Sequence, residues 1–173
     1  MNKGLEVIEA HWLFGVPVEN IRILIHKPSI VHSLVEFIDG SVKAQLGRPD
    51  MRLPIQYALS YPDRLDNPAL PRLDWDNFTG LPFELPDLEK FPCLRIAIEA
   101  GKKGGTYPAV LCAADEAAVE LFLNERIGFT DIPRLVEMAL ERHGSPGIPD
   151  LRAILAAGES ARETVLSSLR GVK

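Results

Sequence analysis

Near the start of the 173-residue chain, Asn2, Lys3 and Glu6 offer an amide, an ammonium and a carboxylate within five residues. Leu5, Ile8 and Trp12 recur at i, i+3 and i+7, the spacing of an amphipathic helix that Gly15 and Pro17 stop. On that helix the three polar residues fall within an arc of about 100° beside the apolar stripe. A carboxylate at Glu6 suits a hard divalent cation, an ammonium at Lys3 suits an anion or hydroxyl, and Asn2 at a helix N-terminus suits either. From spacing alone a solvated Lys–Glu pair at i, i+3 is the stronger reading, because such pairs are ordinary on exposed helix faces.

The other chemistry-bearing residues are less organised. His11, His26, His32 and His143 form no H-E-x-x-H or Cys-His pattern, and Pro28 breaks the pleat between His26 and His32. The run Gly101-Lys102-Lys103-Gly104-Gly105-Thr106 has neither the order nor the preceding strand of a phosphate loop, and reads as a helix end and turn. Cys93 and Cys112 stand apart on apolar helix faces, where an inert buried thiol is expected. Asp115 and Glu116 diverge by about 100° on a helix, too far apart to share a cation.

These residues must be held by an ordered scaffold. The apolar runs Ile21–Ile25, Ser29–Ile38 and Ser41–Leu46 read as strands, and Asp39-Gly40 between the last two signals a hairpin. Alternation puts Val31, Ser33, Val35 and Phe37 on one face and Ile30, His32, Leu34, Glu36 and Ile38 on the other, so both faces are partly apolar. Asp50 can cap a helix running to about Tyr61. Six of the 14 prolines then fall between Pro62 and Pro92, which predicts an extended linker anchored by Leu73, Trp75, Phe78, Leu81, Phe83 and Leu85. Beyond it the apolar period is helical throughout, with the last helix pattern carrying Leu151, Ile154, Leu155, Val165, Leu166 and Leu169. Pro108, Pro133 and Pro149 mark helix starts, and Gly101, Gly144 and Gly158 mark helix ends.

The expected fold class is α+β: a partial catalytic α/β domain with a hairpin-containing sheet over residues 1–61, a Pro-rich linker over 62–90, and a small α-helical bundle over 91–173. A net charge of -5 without a basic block excludes the electrostatic footprint of a nucleic-acid binder. No apolar run approaches the roughly 20 residues a membrane span needs. The two separate cysteines point to a reducing compartment, and the expected location is cytoplasmic.

Ordered motifs carry a stronger signal. Asn2-Lys3-Gly4-Leu5-Glu6, Ile8-Glu9-Ala10, Ser29-Ile30-Val31-His32-Ser33, Ala44-Gln45-Leu46-Gly47, Pro49-Asp50-Met51-Arg52 and Phe129-Thr130-Asp131-Ile132 follow one another as they do in the C-terminal portion of the 1-deoxy-D-xylulose 5-phosphate reductoisomerase family. The sequence resembles that family over essentially its whole length. The resemblance implies an oxidoreductase that converts 1-deoxy-D-xylulose 5-phosphate to 2-C-methyl-D-erythritol 4-phosphate with NADPH and Mg²⁺, Mn²⁺ or Co²⁺. It implies that Glu6 is one of three carboxylate metal ligands and, with Lys3, part of the catalytic set, that Asn2, Lys3 and Glu6 contact the substrate, and that Met51 packs near the nicotinamide with His32 as an active-site neighbour. It also implies a homodimer through the sheet. The family's N-terminal dinucleotide-binding domain and its other two metal carboxylates have no counterpart in these residues. The sequence therefore leaves three readings: a portion of the enzyme inactive alone, a catalytic subunit completed by a separate N-terminal half, or a non-catalytic dimerising or partner-binding module. Cys112-Ala113-Ala114-Asp115-Glu116 departs from the family's Asn-Ala-Ala-Asn-Glu pattern, and Lys27-Pro28 stands where the family usually has Pro-Gln.

Overall fold

The computed structural model describes residues 1–78, 80–144 and 147–168. It contains six α-helices and one two-stranded sheet: α1 (Asn2–Phe14), β1 (Val31–Glu36), β2 (Val42–Leu46), α2 (Arg52–Ser60), α3 (Pro92–Lys103), α4 (Tyr107–Leu123), α5 (Asp131–Glu141) and α6 (Leu151–Ser168). A short 3₁₀ turn at Val18–Asn20 follows α1. The chain divides into two compact units, residues 1–23 with 87–173, and residues 24–86. Helix α1 packs on α3 within the first of these units.

The helical unit holds all the fully buried apolar side chains among the described residues. Its centre is α4, whose Val110, Leu111, Ala114, Ala117, Ala118 and Leu121 are buried at helical spacing between α5 and α6. Small Ala side chains on α4 meet Ala157, Ala161 and Val165 of α6 on one side and Val136 and Ala139 of α5 on the other, so the helix backbones lie close. Arg95 ties α3 to α5 through Glu137 at 3.0 Å, and Arg162 ties α6 to α4 through Glu120 at 2.5 Å. The buried Thr106 Oγ1 shares a 2.7 Å hydrogen bond with His143 Nε2, fastening the α3–α4 turn to the end of α5, and burial pushes the His143 pKa down.

Two expectations about glycines fail here. Gly101 and Gly158 lie inside α3 and α6, not after them. The helix period continues past each, and Gly101 faces Ile8 so closely that a Cβ would sit 3.2 Å from Ile8 Cγ1. Gly104 and Gly105, with φ of 63° and 56°, make the actual turn after α3. Leu169 lies outside the described residues.

In the second unit β1 and β2 pair antiparallel, with Leu34 opposite Ala44 and Glu36 opposite Val42. The hairpin is as expected, but its loop has three residues. The Gly40 amide donates to the Phe37 carbonyl at 2.9 Å, the Phe37 amide donates to the Ser41 carbonyl at 2.8 Å, and Gly40 takes φ 81°. A bulge between Val31 and Ser33 breaks the simple alternation at His32. Ile21–Ile25 does not form a strand; Ile25 alone bridges to Glu84. The proline-rich stretch is tied to its own unit by that bridge and by the Gln56 side chain, which donates to the Leu65 carbonyl at 3.0 Å. Trp75 and Leu85 are exposed and do not serve as anchors, whereas Phe83 packs on the His26 ring at 4.9 Å between centroids.

Candidate functional site

The three residues singled out on the first helix share one solvent-facing side of α1. Asn2, Lys3 and Glu6 are exposed, while Gly4, Val7 and Ile8 are buried against the bundle. The buried stripe is rotated from the one expected, for Trp12 is exposed and Gly4 takes its place. The reason is steric: a residue without a side chain lets α1 lie almost backbone to backbone on Ala97 of α3.

Lys3 Nζ donates to Glu6 Oε2 at 2.5 Å, with 61% and 50% of the two side chains open to solvent. The pair is thus formed on the first two turns and reachable by a ligand. The first turn has no side-chain cap, and the Met1 carbonyl accepts the amides of Gly4 and Leu5 at 2.7 and 3.2 Å. At the other end Gly15, with φ 64°, closes the helix by donating to the His11 carbonyl, and His11 Nδ1 donates to the Val16 carbonyl at 2.8 Å.

The remaining predicted residues belong to residues 24–86. Met51 is exposed immediately before α2. Beside it, Asp50 accepts the Arg52 amide at 3.0 Å and a forked contact from the Arg52 guanidinium, which holds the Asp50 carboxyl down at about 2. This clamp escaped the reading of the sequence, where Asp50 was expected only as a helix cap. His32 Nε2 donates to the Gly47 carbonyl at 3.2 Å, fixing its ring across the hairpin. His26 Nδ1 donates to the Pro82 carbonyl at 2.8 Å and stacks on Phe83.

The cysteines differ from expectation in one respect. Cys93 is half-buried, but Cys112 is exposed. Desolvation still pushes both thiols up, with the neighbouring acids Glu116 and Asp115 adding to the effect at Cys112. Neither is poised as a nucleophile. Cys112 and Ala113 line a shallow groove with Ile154, Leu155 and Gly158 that includes none of Asn2, Lys3 and Glu6.

A divalent cation needs several oxygen ligands, and among the described residues no group of three or more His, Cys, Asp or Glu side chains lies together. Glu6 brings one carboxylate, already paired with Lys3. The only sheet among the described residues is an antiparallel hairpin, without the βαβ turn that cradles a dinucleotide. No helix of the described residues is long and apolar enough to cross a membrane.

Residues 46–164 match the family described as DXP reductoisomerase C-terminal domain, and the chain belongs to that family. The 1-deoxy-D-xylulose 5-phosphate reductoisomerase of Cupriavidus metallidurans is 56% identical over 174 residues, covering 99% of this chain and 44% of that protein. The reductoisomerase of Acetivibrio thermocellus is 56% identical over 165 residues, 95% of this chain and 43% of that protein. Among solved structures, the Zymomonas mobilis enzyme in complex with NADPH superposes with a TM-score of 0.89 at 44% identity, over 99% of this chain and 45% of that one. A DOX-P reductoisomerase in complex with NADPH, fosmidomycin and magnesium gives 0.88 at 39% identity, over 98% and 43%. The chain spans less than half the length of the relatives it matches.

Proposed function

We propose that this chain supplies the C-terminal portion of an NADPH- and divalent-metal-dependent reductoisomerase that converts 1-deoxy-D-xylulose 5-phosphate to 2-C-methyl-D-erythritol 4-phosphate, and that it is inactive in isolation. The supporting observation is the exposed Asn2, Lys3 and Glu6 on α1, adjoining in space and embedded in a chain that is similar to such enzymes along nearly all its length. In this reading Glu6 is one of the carboxylates that hold Mg²⁺, Mn²⁺ or Co²⁺, and the rest come from a segment outside these 173 residues. Lys3 and Asn2 hold phosphate and hydroxyl oxygens of the substrate, the ammonium offsetting their charge and the amide setting orientation. Met51 lies near the nicotinamide with His32 close by, residues 62–90 link the catalytic portion to the helical one, and the work is done in the cytoplasm. The partner of the hairpin is a second copy of the chain, a reading supported by the exposure of Leu34, Val35, Phe37 and Ile38 on both its faces.

The test is NADPH oxidation with 1-deoxy-D-xylulose 5-phosphate and Mn²⁺, by the chain alone and mixed with the N-terminal portion of the Cupriavidus metallidurans relative. Turnover is expected only on mixing. Glu6→Gln in the mixture is expected to leave less than about 1% of it, since losing a ligand exceeds the 10–100-fold cost typical of outer partners. No turnover on mixing, or a fully active Glu6→Gln, overturns the assignment.

A further inference from the structure

The site helix is held on the bundle in an unusual way for a helix whose polar residues must be placed accurately. Its N-terminal neighbour is Met1, whose side chain has no oxygen with which to cap the first turn, and that turn itself contains no acidic residue. What fixes it is packing. Gly4 lies between Lys3 and Glu6 in sequence and is buried, and a Cβ there would overlap the Cβ of Ala97. The next nearest atoms to that point are the Cys93 carbonyl oxygen at 3.6 Å and Ala97 Cα at 3.7 Å, so the opposing surface is the backbone of α3 and cannot swing aside. One turn further along the contact is looser: a Cβ on Gly101 of α3 would lie 3.2 Å from the Cγ1 methylene of Ile8 and 3.6 Å from Val18 Cγ2, a shortfall of a few tenths of an ångström.

We propose that Gly4 and Ala97 form the positioning contact of this site, a seat on α3 that sets how deep the first turn of α1 lies and hence where Asn2, Lys3 and Glu6 point. This rests on the function proposed above for those three residues. Neither Gly4 nor Ala97 touches a reactant; both act through the backbone of α1. Carbon atoms need about 3.5–4.0 Å between them, so one added methyl lifts the turn by on the order of 1 Å. A misplacement of that size costs about 10²-fold in rate when the displaced groups hold the reacting atoms.

Gly4→Ala, Ala97→Gly and the double variant test this in the full 173-residue chain and in the mixture with the N-terminal portion of the relative. Gly4→Ala is expected to move the amide resonances of residues 2–6, to leave those of α4, α5 and α6 in place, and to lower kcat about 100-fold in the mixture. Gly4→Ala with Ala97→Gly returns the same volume to the contact and is expected to restore both. Gly101→Ala is the control, with resonances of residues 2–6 unchanged because its added methyl meets Ile8 and Val18, beyond the first turn, at 3.2 Å or more. Should Gly4→Ala alone fail to fold, Ala97→Val enters the same contact from α3 and is expected to give the same displacement. Unmoved first-turn resonances and parental kcat in Gly4→Ala overturn the proposal, as does a double variant no better than Gly4→Ala. If the unaltered chain gives no turnover on mixing, the reductoisomerase reading falls and a catalytic role for the seat falls with it, whereas the resonances still show whether Gly4 sets the turn.

Discussion

Asp50 shows how one side chain can hold a neighbour in place and make it sensitive to pH. The hydrogen bond from the Arg52 guanidinium, followed by the Arg52 amide, keeps this carboxyl at about 2 against its usual 3.8. The folded state therefore prefers the charged form, and the stabilisation is complete above the usual value and lost as pH falls from 3.8 through about 2. Carbonyl-carbon NMR of Asp50 is expected to titrate at about 2, with the amide resonances of Met51 and Arg52 moving in step. Asp50→Ala is expected to abolish that movement; Met51 resonances that still shift between pH 4 and 2 in the variant would show the clamp to be irrelevant. The pairing was not legible in the sequence, because a cap and a forked ion pair both call for Asp at this place and only the direction of the Arg52 side chain separates them. Asn2, Lys3 and Glu6 were legible as a cluster, since helix geometry alone places them on one side. Their exposure depends on Gly4 being the buried position, and a lone glycine within a helical pattern was the available sign of close packing there.

At the scale of elements, the hairpin was readable because Asp39-Gly40 specifies a turn locally, whereas its loop length was not. Ile38 is part of the turn, and Gly40 supplies the single left-handed residue that closes it. Asp39 Oδ1 accepts both the amide and the hydroxyl of Ser41 at 2.9 and 2.6 Å, which pushes its carboxyl below the usual range and stiffens the same corner. Gly40→Ala forces a Cβ into φ 81° and is expected to destabilise the hairpin by about 1–2 kcal/mol. Gly40→Asn tolerates the left-handed conformation better and is expected to cost less. Hydrogen exchange of the Phe37 amide measures this directly, and equal protection in the parent and Gly40→Ala would remove the turn from the account. The helices were legible as periodic runs, but Gly101 and Gly158 misled as ends because a glycine's close approach to a neighbouring helix and its use as a stop look alike in one sequence.

Over the whole molecule, burial is divided unequally. The unit formed by residues 1–23 and 87–173 contains a continuous core, while the described residues of 24–86 bury no apolar side chain and expose Leu34, Val35, Phe37, Ile38 and Val42 around one hairpin. A two-stranded ribbon is marginal by itself in water, and apolar side chains on both of its faces are a surface that association would cover. The net charge of -5 is modest for 173 residues and opposes self-association only weakly. Sedimentation velocity over a range of concentrations is therefore expected to show dimers, with little effect of added salt because the contact is apolar. Val35→Lys and Phe37→Glu together place charges on one face without removing a turn hydrogen bond, and are expected to shift the boundary to the monomer while the helical signal in circular dichroism stays. A parent chain that sediments as a monomer at every concentration would mean that the hairpin's partner is another chain, with the N-terminal portion of a relative as the next one to add.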